Sequence, residues 1–253
     1  MENRILLSVK DMTIGHDGRT LCSGITFDVC EGDCIMLCGA NGSGKTTLMK
    51  TLANSSHRDL TYSPGRQIEC ILIPARIPKV AGFTLKEFVR VSCFSKSDLY
   101  GKLSPSEEAE LNNAIEILGL MHLADRDIST LSDGEFQKAG IASALVRKAD
   151  IIMLDEPTAF LDAENRISVL NTLRALCDQP QILNDAIHRQ NNTADESTPH
   201  RYRPAIIFST HDLYDGLAVC TKVFALGADR QFHTNADNTP ESKSATVSRI
   251  FSR

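Results

Sequence analysis

Eight consecutive residues, Gly39-Ala40-Asn41-Gly42-Ser43-Gly44-Lys45-Thr46, match a phosphate-binding loop at every fixed position. An unbroken apolar run, Cys34-Ile35-Met36-Leu37-Cys38, precedes them, and residues 45–53 read as a helix. Glycines let successive backbone N–H groups curl round a phosphate without a Cβ in the way, and the helix N-terminus adds positive potential. Lys45 is placed to reach the β- and γ-phosphates of a nucleotide, the Thr46 hydroxyl to ligate Mg²⁺, and Thr47 follows in the same first turn.

A second motif completes that chemistry. Ile151-Ile152-Met153-Leu154-Asp155-Glu156 is a buried strand delivering two adjacent carboxylates at its carboxyl end. Asp155 is expected to hold Mg²⁺ through water. Glu156 projects the other way and can serve as general base for an attacking water. The run Ala205–Ser209 followed by Thr210-His211-Asp212 sets an imidazole at another strand end, where it can bond a γ-phosphate and position Glu156.

The elements that must carry these groups are legible from period and punctuation. Residues 5–37 alternate apolar and polar, with breaks at Gly15, Asp17-Gly18 and Glu31-Gly32-Asp33, which predicts a small antiparallel sheet. Strands are also predicted at 69–73, 151–154 and 205–209, and a helix at 164–176. Between them, 83–148 has helical character: Ser104-Pro105 with Glu107 and Glu108 is a capped start, and Leu111, Ala114, Ile115 and Leu118 form one apolar face ending near Gly119. The fold class is therefore α/β, a P-loop NTPase (RecA-like) core with an antiparallel β subdomain and an inserted α-helical subdomain. The expected boundaries are 1–75 and 149–227 for core and β subdomain, 76–148 for the helical subdomain, 178–203 for a polar exposed insertion and 228–253 for a polar tail with a short amphipathic turn at 247–251.

Composition narrows the setting. The chain has 253 residues, 42% of them hydrophobic, enough to bury a full core. A net charge of -5 gives no basic footprint for nucleic acid. The first residues lack a secretory apolar segment, and no run reaches the roughly 18 apolar residues of a membrane span, so an intracellular chain is expected. Eight scattered cysteines without a Cys-x-x-Cys pair read as small apolar core residues.

One further stretch, Leu131-Ser132-Asp133-Gly134-Glu135, opens a helix before the acidic strand. With the phosphate loop, Asp155-Glu156-Pro157-Thr158, Leu161-Asp162 and Ser209-Thr210-His211-Asp212, it makes the chain resemble the ATP-binding cassette (ABC) family over residues 5–227, with 1–253 forming one ATP-binding domain. The resemblance implies ATP and Mg²⁺ as ligands and a homodimer of ATPase subunits packed head to tail. In that dimer Ser132 and Gly134 meet the γ-phosphate held by the partner, and Asp162 belongs to the following D-loop. Phe83-Thr84-Leu85-Lys86-Glu87-Phe88-Val89 and the segments after it are similar to importers of iron chelates (siderophores), haem or cobalamin. That similarity implies transmembrane permease subunits, indirectly a substrate-binding protein, and a peripheral place on the inner face of the cell membrane. A soluble cassette ATPase of a cytosolic complex, such as iron–sulfur cluster assembly, is the alternative.

Three positions depart from the family's wording. Ala75 stands where the Q-loop glutamine is expected: either a water and a neighbour such as Arg76 substitute for it, or coupling to the membrane subunit is weaker than usual. His16 stands where an aromatic stacks on adenine: either its smaller imidazole face stacks more weakly, or it is a hairpin residue and the base is poorly held. Asp133 replaces a signature glycine and is expected to turn outward and cap the helix.

Overall fold

The computed structural model describes residues 4–54, 60–62, 68–93, 103–178 and 202–251. They fall into two compact units, Met1–Ala75 with Asp150–Ala159 and Pro204–Arg253, and Arg76–Ala149 with Phe160–Arg203.

In the first unit, β1 (Ile5–His16) and β2 (Arg19–Cys30) form a long antiparallel hairpin. Its turn is Asp17-Gly18, both at positive φ (48° and 74°), the two-residue geometry whose twist suits a hairpin. A short β4 (Leu60–Tyr62) adds to the other edge of β1. The second sheet contains β3 (Cys34–Gly39), β5 (Cys70–Ile73), β6 (Ile151–Leu154), β7 (Ala205–Ser209), β8 (Lys222–Leu226) and β9 (Phe232–Thr234). Its order is β5-β6-β7-β3-β8-β9, parallel except for the last pair. Every residue of β3, β6 and β7 is buried, as unbroken apolar runs in a parallel sheet require. Because these strands are parallel neighbours, the segments after Gly39, Leu154 and Ser209 all emerge at one carboxyl edge.

Helix α1 (Lys45–Ala53) follows β3 and buries Leu48, Met49 and Leu52 in a core shared with Ile35, Leu37, Ile151 and Ile207. Cys38 is wholly buried and its thiol is pushed up to about 12 by desolvation, so it is an apolar core group and not a nucleophile.

The second unit is helical: α2 (Leu85–Val91), α3 (Pro105–Ile117), α4 (Asp133–Val146) and α5 (Ala163–Asp178). Thr84 with Glu87, and Ser104 with Glu107, form reciprocal capping boxes, and Pro105 is the first residue of α3. The anticipated face Leu111, Ala114, Ile115 and Leu118 is buried. Phe88 of α2 and Phe136 of α4 meet as tilted rings with centroids 5.0 Å apart. Helix α5 groups with these helices rather than with the strands.

The tail is the main departure from the sequence reading. Besides the turn at 247–251, whose Val247 and Ile250 are buried, residues beyond Gly227 form β9 and α7 (Pro240–Ser248), after α6 (Leu213–Val219). The cause is pairing: β9 folds back on β8 as a hairpin, and Phe232 packs against Phe224 of β8 at 5.2 Å and against the distant Phe27 at 5.3 Å. Thr239 caps α7 ahead of Pro240. Residues 179–201 of the expected polar insertion lie outside the described residues. Among the described residues no helix is long and apolar enough to cross a membrane.

Candidate functional site

The glycines of the loop are needed for shape. Gly44 has φ 106° and an added Cβ there would sit 2.9 Å from Ile14 Cδ1, so both backbone and packing exclude a side chain. Gly44 is also the N-cap of α1, and no side chain caps that helix. The first-turn N–H groups of Lys45, Thr46 and Thr47 thus remain directed at an anion. Lys45 Nζ donates to the Gly39 carbonyl at 2.9 Å and the Ala40 carbonyl at 3.3 Å, which folds the lysine back along its own loop. Burial lowers its pKa below the usual lysine value, against the pull of the Glu156 and Asp155 carboxylates. A phosphate would bring negative charge into direct contact with an ammonium whose hydrogen bonds run to neutral carbonyls. Ser43 Oγ is buried without a hydrogen-bond partner among the described residues and crowds Gly39, where an added Cβ would be 2.5 Å away.

A cavity of about 640 Å³ lies over the loop, within the usual range of small-ligand sites. His16, Asn41, Gly42, Gly44, Lys45, Thr46, Thr47 and Glu156 line it, all anticipated from sequence. Leu21, Lys50, Thr51 and Asn54 also line it and were not anticipated. Their signal was available in part: Lys50 and Thr51 lie one turn beyond Thr46 and Thr47 on the same helix. His16 is the last residue of β1 before the hairpin turn, and its side chain is 75% exposed, open to a stacking partner.

The acidic strand end is tied together more tightly than its sequence suggests. Thr46 Oγ1 donates to Asp155 Oδ2 at 2.6 Å. Ser209 Oγ donates to Asp155 Oδ1 at 2.9 Å and accepts the backbone N–H of Glu156 at 2.7 Å. Glu156 Oε1 meets His211 Nε2 at 2.7 Å. Glu156 has φ 50°, a left-handed conformation unusual for a residue with a side chain. That turn lets adjacent carboxylates point apart, Asp155 to Thr46 and Glu156 to His211. Ser209 was read only as part of a motif; a serine ending a wholly apolar strand was the available clue.

The remaining predicted residues belong to the second unit. Ser132 is the N-cap of α4: its Oγ accepts Glu135 N at 3.2 Å, while Ser132 N donates to Glu135 Oε2 at 2.7 Å. Burial raises the Glu135 pKa, but the bonds from Ser132, with Arg126 and His122, outweigh it and hold the carboxyl below its ordinary range. The expectation that Asp133 caps the helix is corrected. Asp133 is the first helical residue, past the extended cap position that Ser132 holds at φ -61°, ψ 161°, and its carboxylate takes Lys79 Nζ at 2.6 Å instead. Gly134 packs closely on α5, where an added Cβ would be 3.2 Å from Asn165 Oδ1. Asp162 accepts Asn165 N at 2.8 Å and Asn165 Nδ2 at 3.0 Å, bonds that hold its pKa low. Ala75 follows β5, and the guanidinium of Arg76 is engaged over the Phe160 ring, 4.3 Å from its centroid.

This combination of a phosphate loop on a parallel sheet, an acidic strand end and a capped signature helix agrees with the comparisons. The ABC transporter family model matches residues 22–159, more than half the chain, and the chain belongs to that family. Its ATP-binding subunits hydrolyse ATP, and this chain is such an ATPase. It is 29% identical over 184 residues to the achromobactin transport ATP-binding protein of Dickeya dadantii (strain 3937), covering 67% of this chain and 68% of that protein. It is 28% identical over 201 residues to the iron(3+)-hydroxamate import ATP-binding protein of Bacillus subtilis (strain 168), covering 74% and 75%. A solved metal-chelate type ABC transporter in an inward-facing conformation superposes with TM-score 0.77 at 23% identity, over 98% of this chain and 89% of that one.

Proposed function

We propose that this ATPase powers import of an iron chelate of the siderophore class. It does so as a head-to-tail homodimer docked on membrane permease subunits, at the inner face of the cell membrane. The observation that carries the hydrolytic part is the fixing of Glu156 between Ser209 and His211, beside the Thr46–Asp155 pair. The import class rests on the likeness to the achromobactin and hydroxamate ATP-binding proteins.

In this reading the first turn of α1 and Lys45 hold the triphosphate in the cavity, and His16 stacks against the base. Glu156 removes a proton from water as the water oxygen attacks the γ-phosphorus. The bond to the bridging β–γ oxygen breaks, leaving ADP and phosphate, and His211 keeps the accepting carboxylate oriented. Thr46 and Asp155 offer the hard oxygen ligands that suit Mg²⁺, which would neutralise phosphate charge there. Ser132 and Gly134 of one subunit, with Asp162, would complete the site of the other.

The test has two arms. Purified wild type should hydrolyse ATP, whereas Glu156→Gln should bind ATP, stop turning over and accumulate as a dimer in light scattering. Equal turnover of the two proteins would sink the mechanism. In cells lacking the chain, growth on a ferric siderophore as sole iron source should fail and return with the wild-type gene but not Glu156→Gln. Normal growth there removes the cargo assignment while leaving the ATPase reading intact.

A further inference from the structure

Two cations follow Ala75, and each reaches an element that the proposed dimer presents to the partner's nucleotide. Arg76 lies over Phe160, a residue 54% exposed and so not fixed by burial alone. Lys79 Nζ donates to the Leu131 carbonyl at 2.8 Å and to Asp133 Oδ1 at 2.6 Å, and stands 5.6 Å from the centroid of the Phe136 ring. The Lys79 side chain is 24% exposed and that of Asp133 61%, so the lysine is held by its two partners while the carboxylate stays open to water, and the pair acts through position and local charge more than through stability.

The two segments so contacted are also locked to each other. Gly134 packs on Asn165, the backbone N–H and the side-chain amide of Asn165 each donate to Asp162, and Lys138 Nζ donates to Ser168 Oγ at 2.9 Å. The first turns of α4 and α5 thus form one piece, held by one loop.

From this arrangement we infer that Arg76 and Lys79 act as a two-point strap. It positions the signature turn and the 160–162 turn as a single surface, and Lys79 cancels the charge that Asp133 brings to a turn meant to receive phosphate. Both are positioning residues; neither touches the reacting atoms. An uncompensated carboxylate beside a triphosphate repels it, and like-charge juxtaposition is a strong brake on association. The strap occupies the loop where Ala75 has removed the expected glutamine. The loop's hold on hydrolysis therefore runs to the signature turn.

This inference rests on the head-to-tail reading, and the experiment separates their failures. In a Glu156→Gln background, ATP-dependent dimerisation is followed by sedimentation velocity, and nucleotide affinity of the monomer by a fluorescent ATP analogue. Lys79→Met should raise the protein concentration for half-dimerisation about tenfold. Monomer affinity should change less than about twofold, because the cavity is lined by first-unit residues alone. Lys79→Met with Asp133→Asn should recover most of the loss, Lys79→Arg should retain parental dimerisation, and Arg76→Met should weaken it about threefold.

Parental dimerisation by Lys79→Met overturns the inference, as does a defect that persists in the double variant. An unchanged Arg76→Met removes the second point and overturns the strap as stated. Should Lys79→Met fail to fold, the charge exchange Lys79→Glu with Asp133→Lys takes its place, and failure of that pair to dimerise counts against the strap. If the Glu156→Gln parent does not dimerise with ATP, the head-to-tail reading falls first and the strap falls with it.

Discussion

Ser209 of β7 holds Asp155 by the bond it donates and Glu156 by the bond it accepts, so one buried hydroxyl sets both carboxylate-bearing residues at the end of β6. A left-handed residue costs about 1–3 kcal/mol and persists only where its surroundings over-determine it. Ser209, Thr46 and His211 supply that determination for Glu156 and its neighbour.

Ser209→Ala should therefore act on fold and chemistry together. Loss of the hydroxyl strands the Glu156 N–H, at a cost of about 1–3 kcal/mol in unfolding free energy. Misplacement of Glu156 should lower kcat at least about tenfold. Urea unfolding and steady-state ATPase assays check both; native stability with an undiminished rate would refute the role.

The His211–Glu156 contact predicts non-additive kinetics. Glu156→Gln should reduce kcat by about 10²–10⁴. His211→Ala should lose less, and adding it to Glu156→Gln should change little further, since the imidazole acts through the carboxylate. A double variant slower by the product of the two single losses would show that His211 works independently.

His16→Tyr should tighten nucleotide binding about two- to tenfold, because tyrosine offers a larger face for stacking at the hairpin end. Titration of a fluorescent ATP analogue into both proteins reads this directly. Unchanged affinity means that the base lies away from the hairpin.

The depressed pKa of Lys45 makes a signed prediction. The folded chain holds that proton less tightly than the unfolded chain, so the penalty for the charged form is complete at neutral pH. Stability then rises as the pH climbs from the folded value toward 10.5. Phosphate draws the pKa back up, so ATP binding in alkaline buffer below pH 10.5 should take up protons. Calorimetry in buffers of differing ionisation heat should show uptake for the wild type and none for Lys45→Met.

Local pattern sufficed wherever a group's partners lie nearby in sequence. The loop from Gly39 to Thr46 sits between elements that its own glycines and helix start announce, and Ser104-Pro105 opens α3 by a capping box closed within four residues. What escaped depends on distant pairing. Asp133 and Lys79 are separated by 54 positions, and nothing about a lysine in a loop marks it as the partner of a signature carboxylate. The nearer rival, Ser132, took the cap because its backbone is extended. Strand β9 has only three residues and owes its existence to its hairpin with β8 and to Phe27, far up the chain, so its own composition reads as polar tail.

The capping box at Ser132 bears on how fast two cassettes can meet. Its oxygen is engaged through a lone pair, which leaves the hydroxyl proton for an incoming phosphate, and its rotamer is set before any partner arrives. No side-chain search then delays the encounter at this position. In the proposed dimer the association rate would follow diffusion and ionic strength, and the lifetime of the pair would be left to the γ-phosphate.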